Sequence, residues 1–133
     1  MKPYHTILVL ILILSSCEQA PDIHPTTLEG MWNIERVLAN DHWGAPLYWR
    51  DAEWGKEIRF VSGQYFEKTI NDFELIGTYA IISDEEIEIT WDSPVNPEYP
   101  SFRLRYEFDS KGQLTLFKNQ FEGVVGEQYK RSE

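Results

Sequence analysis

The chain has 133 residues, of which 42% are hydrophobic and 14% aromatic. That is enough for one packed domain and too little for two. Twenty-two acidic residues against twelve basic ones leave a net charge of −10. This balance excludes nucleic-acid binding, where Lys and Arg must neutralise phosphates, and electrostatic docking on anionic lipid. Any membrane association must come from another source. At the N-terminus, Lys2 and His5 form a short basic start, and Ile7 to Leu14 (ILVLILIL) is an unbroken apolar run of eight residues. Eight is far below the roughly 20 residues that span a bilayer, so the run reads as the core of an export signal.

Leu14-Ser15-Ser16-Cys17 follows, and it resembles a bacterial lipobox. The resemblance implies that residues 1–16 are a lipoprotein signal peptide, cut just before Cys17 once its sulfur carries diacylglycerol. Cys17 is the only cysteine, so no internal disulfide is available to it, and lipidation removes the free thiol. Two or more acyl chains, palmitate among them, anchor a protein stably where one does not. Residues 17–27 hold two prolines and show no apolar periodicity, which reads as a lipidated tether. Glu18 follows the cysteine; by resemblance to enterobacterial lipoproteins, this implies delivery to the outer membrane. The expected location is therefore the bacterial cell envelope, with the lipid anchor as the membrane contact.

From residue 28 onward the apolar period is two. Residues 28–38 give a first strand. Residues 39–56 break the pattern, because Gly44 and Pro46 oppose a continuous strand, although 47–54 suit a short helix or turn. Short strands then follow at 57–61, 64–70, 73–82, 86–91, 101–108, 113–118 and 126–131. Ser62-Gly63, Asn71-Asp72, Ser83-Asp84-Glu85 and Asp109-Ser110-Lys111-Gly112 supply the turns. Glu86 to Trp91 shows the alternation best, acid or threonine against a large apolar residue. Eight consecutive antiparallel strands suit an up-and-down barrel, which removes exposed edges; a two-sheet sandwich is the alternative. Trp32, Phe60, Trp91, Phe102, Tyr106 and Phe108, with Phe66 or Tyr79, are expected inside. So many rings leave room only for a small cavity near the open end.

Gly30-Met31-Trp32 carries the G-x-W signature that opens the first strand of lipocalins and related calycins. Along residues 28–133 the chain resembles the short lipocalin-like lipoproteins of bacteria. The resemblance implies that Arg131 lies across Trp32 and closes the barrel base. It also implies that residues 39–56 fold over the open end as a lid. The T-D-Y motif and C-terminal helix of full lipocalins are missing.

Catalytic chemistry finds no support. His5 leaves with the signal and His24 sits in the tether, so His42 is the domain's only imidazole, with no nucleophile or metal-ligand set around it. Asp51 and Glu53 carry no further signature of a catalytic pair. Asp84, Glu85, Glu86 and Glu88 lack calcium-loop spacing and read as a solvated hairpin. The expectation is a protein with no enzyme activity, cofactor or metal. Two roles remain open: a binder of a small apolar ligand at the barrel mouth, or a filled barrel serving as an interaction or inhibitor module for another envelope protein. Residues 42–55 (HWGAPLYWRDAEWG) hold three of the five tryptophans. His42, Trp43, Tyr48, Trp49, Arg50 and Trp54 are the candidate contacts, either as caps on the core or as a binding patch.

Overall fold

A computed structural model describes residues 27–69, 71, 74–94, 97–119 and 123–133. The signal run, Cys17 and nearly all of the tether lie outside these residues. The described chain is all β. Its strands are β1 (Gly30–Ala39), β2 (Tyr48–Asp51), β3 (Lys56–Val61), β4 (Gln64–Thr69), β5 (Glu74–Ile81), β6 (Glu86–Trp91), β7 (Ser101–Phe108), β8 (Leu114–Phe117) and β9 (Val124–Arg131). Neighbours pair antiparallel in the order β2-β1-β3-β4-β5-β6-β7-β8-β9, and β1 also pairs with β9. That last pairing closes eight strands into an up-and-down barrel of the lipocalin-like kind, with β2 as an extra strand.

The extra strand corrects the helix or turn expected over 47–54. Tyr and Trp favour extended backbone, and the chain past Pro46 is free to return along β1. β2 pairs with Arg36–Ala39 of β1, while β3 pairs with Gly30–Asn33. The two are halves of one strand interrupted at residues 52–55. Glu35 bulges out of the β1–β9 ladder opposite the interruption, and its carbonyl accepts the Ala52 amide at 2.9 Å. β9 starts earlier than the alternation suggests, because a second irregularity sets Val124 opposite Ala39.

Short turns gather at one end of the barrel. Ser62 (φ 49°) and Gly63 (φ 82°) form a two-residue hairpin loop in which both residues are left-handed, matching the strand twist. The Glu29 carboxylate accepts the Ser62 amide at 3.0 Å and helps hold that geometry. The Asp109 carboxylate accepts from the Lys111 and Gln113 amides and folds the β7–β8 turn. The long connections, including 40–47, leave from the opposite end.

The core fills the short-turn half. Trp32, Ile58, Phe60, Ile87, Ile89, Leu114 and Tyr129 are wholly buried. Trp32 donates its indole N–H to the Leu28 carbonyl at 2.8 Å and packs on Phe108 at 6.0 Å between ring centroids. Tyr79 packs edge-on against Phe60 inside the barrel, whereas Phe66 lies on the outer face under Arg59. Arg131 lies over the Trp32 ring, 4.4 Å from its centroid, and donates to the carbonyls of Glu29 and Thr27. It thus plugs the floor and ties the chain before β1 to the last strand. Arg131→Ala should cost about 1–3 kcal/mol in a denaturant titration, through lost packing as well as lost charge. Arg131→Lys should recover little of this, because an ammonium cannot both stack and reach two carbonyls.

Candidate ligand site at the barrel mouth

The barrel interior is not apolar throughout. Strand alternation brings Lys56 from β3, Tyr65 and Glu67 from β4, and Glu127 and Tyr129 from β9 to the inner face, with Lys118 just past β8. Lys56 Nζ lies 3.0 Å from Glu127 Oε2 and 3.2 Å from Glu67 Oε1. Lys118 Nζ lies 2.9 Å from Glu127 Oε1. The Tyr129 hydroxyl donates to Glu127 Oε2 at 2.6 Å, and the Tyr65 hydroxyl to Glu67 Oε2 at 2.9 Å. Every carboxylate oxygen of the cluster is therefore engaged, as burial of such charges requires.

Protonation follows from this geometry. Burial works to raise the pKa of Glu127, but Lys56, Lys118 and the Tyr129 hydroxyl outweigh it and bring it down to about 2. Burial likewise works to lower that of Lys56, and Glu127 and Glu67 outweigh it, so the ammonium is held above its ordinary value. Tyr65 and Tyr129 are pushed well above the usual phenol range, first by burial and then by the adjacent carboxylates. In formal charge the cluster sets two lysines against two carboxylates, with two phenols beside them. Its net charge is zero.

A cavity of about 200 Å³ opens over this cluster, lined by Lys56, Tyr65, Glu67, Trp91, Phe102, Leu104, Leu116, Lys118 and Glu127. Trp91 stands between Tyr65 and Phe102, at 5.5 and 5.6 Å between ring centroids, and the three rings make one wall. The volume is below the roughly 300–1,000 Å³ of drug-sized sites and has room for roughly seven water-sized groups. Such a cavity suits one small molecule with an apolar body and a polar atom. Among the described residues, no His, Cys, Asp and Glu side chains gather in a group able to hold a metal ion.

The residues singled out in the tryptophan-rich segment do not converge on this cavity. Trp43 stands 76% exposed. The Tyr48 hydroxyl donates to Asp41 at 2.6 Å, and Arg50 reaches Glu53 at 3.8 Å. Trp49 lies on the outer face with Arg36 over its ring at 5.7 Å. The His42 carbonyl closes a turn with the Ala45 amide, and Trp54 is half-buried beside the strand break. Among the described residues, none of the four aromatics belongs to the buried core cluster. Sequence reasoning missed the inner polar residues, although a signal existed. Tyr65-x-Glu67 and Glu127-x-Tyr129 each set a phenol and a carboxylate on one strand face.

The described residues build a closed eight-stranded barrel with a small cavity at its open end. No protein-family model matches this chain, and no curated protein matches it.

Proposed function

We propose that this is a non-catalytic, lipocalin-like lipoprotein of the bacterial envelope, anchored through Cys17, whose barrel mouth holds one small, largely apolar ligand. The carrying observation is the aromatic-walled cavity of about 200 Å³ over a charge-balanced floor. Because that floor is neutral overall, it favours an uncharged ligand with one polar atom, such as indole, phenol or cyclohexanol. Calorimetric titration of the purified protein with these three compounds tests the reading. Phe102→Ala, at a partly exposed wall position, should weaken the best of them about 3–10-fold while leaving the melting temperature nearly unchanged. Leu116→Phe should block the cavity outright. Binding that survives both substitutions would place the ligand elsewhere. The anchor is tested separately: mass spectrometry of the membrane fraction should find an acylated peptide beginning at Cys17.

One observation favours a second role, contact with another envelope protein. Trp43, Leu47 and Tyr48 are all exposed within one short segment. Tryptophan and tyrosine are types enriched at binding hot spots. Crosslinking from position 43 in intact cells would distinguish this role, since a small-molecule carrier predicts no single crosslinked partner.

A further inference from the structure

The outer face of a small barrel is normally polar, yet one row across this one is not. Register places Trp49 of β2 beside Leu38 of β1, Leu38 beside Gly126 of β9, Gly126 beside Phe117 of β8, and Phe117 beside Arg105 of β7. Because position 126 has no side chain, its neighbours close over it. A Cβ there would sit 3.2 Å from Leu38 Cβ and 3.4 Å from the Phe117 ring. Leu47, from the segment before β2, forms part of the same wall. The result is an open groove of about 570 Å³ whose apolar wall is Leu38, Leu47, Phe117 and Val125. Its polar side holds Arg103, Arg105, Lys118 and Asn119 together with Glu86, the cross-strand neighbour of Arg105, whose carboxylate is paired with Arg103.

The cations of this groove are not equivalent. Arg103 is clamped by Glu86 at 3.1 Å and Glu88 at 3.2 Å, and Lys118 is bound to Glu127. Arg105 instead lies over the Phe117 ring, 4.3 Å from its centroid, and among the described residues it has no carboxylate partner. In a chain with 22 acidic residues and 12 basic ones, this guanidinium stays uncommitted beside an apolar floor. Its five N–H donors form a fork that matches a carboxylate.

We infer that the groove is a second binding site, distinct from the mouth cavity, for a small amphipathic acid. Its carboxylate takes both arms of the Arg105 fork, and its apolar chain lies along Phe117, Leu38 and Leu47. The site is independent of the mouth reading, because charge selects here and does not there. Lys118 borders both cavities, so it is left unaltered in the test.

The test uses decanoate below its micellar concentration, with decanol as the uncharged analogue, followed by amide chemical shifts of the purified protein. Decanoate should perturb the amides of Leu38, Phe117 and Gly126 and bind at least about tenfold more tightly than decanol. Arg105→Gln should remove that preference and Arg105→Glu should abolish decanoate binding, with unchanged melting temperatures confirming that both variants fold. Phe102→Ala should leave decanoate binding as it was. The inference is overturned if decanoate fails to bind, if decanol binds equally well, if Arg105→Gln binds like wild type, or if the shifts fall on Tyr65, Trp91 and Phe102.

Discussion

Glu127→Leu should lower the stability of the domain by about 3–5 kcal/mol, the range for removing one partner of a buried ion pair. Glu127 takes Lys56, Lys118 and the Tyr129 hydroxyl on its two oxygens. Lys118 is 35% exposed and can turn to water, but the Lys56 side chain is only 9% exposed and keeps Glu67 alone. The main loss is thus the buried ammonium left half-paired, with a buried phenol left without its acceptor. Urea titration gives the size of the effect. A second variant shows its origin: in the double substitution Lys56→Met/Glu127→Leu the stranded cation is gone. The double variant should be more stable than the sum of the two single losses predicts, by about 1–3 kcal/mol. Strictly additive losses would mean that the two side chains do not act as a unit.

The barrel was legible in the sequence because its signals are local. Alternation in Glu86–Trp91 and Ser101–Phe108, and turn residues such as Ser62-Gly63 and Asp109, act within a few positions. Closure was legible at one point, the Trp32–Arg131 contact, and only through a resemblance, since 99 positions separate the two residues. What stayed hidden was which charges face inward. Lys56 falls at the end of an irregular segment where no alternation sets its direction. Glu67 looks like any solvated acid until Lys56 of β3 is placed beside it. β2 was hidden for the same reason. Four residues carry too little periodicity, and only pairing with Arg36–Ala39 makes them a strand. The outer groove is the extreme case, because its floor draws one residue from each of several strands. Register assembles that row, and register is a property of the closed barrel.

The same buried carboxylate fixes the acid limb of stability. Glu127 has a folded pKa of about 2 against an ordinary value of 4.5. A depressed pKa means that the folded state binds the proton less well than the unfolded chain does. The stabilisation is therefore complete above about pH 4.5, and it is lost as the pH falls towards 2. The shift corresponds to a contribution on the order of 3 kcal/mol. A pH scan of wild type alone would mix this with an opposing effect. Protonation of the exposed acids relieves the self-repulsion of a chain that carries −10 at neutral pH. Glu127→Gln isolates the term, because it keeps the side-chain shape, cannot ionise, and leaves the other acids in place. Urea midpoints of both proteins should differ by a nearly constant amount from pH 6 to 9. The gap should shrink below about pH 4.5 and largely close near pH 2, because protonated Glu127 is then matched by the neutral glutamine. A gap that persists unchanged to pH 2.5 would show that charge on Glu127 contributes nothing to holding Lys56 and Lys118 inside the barrel.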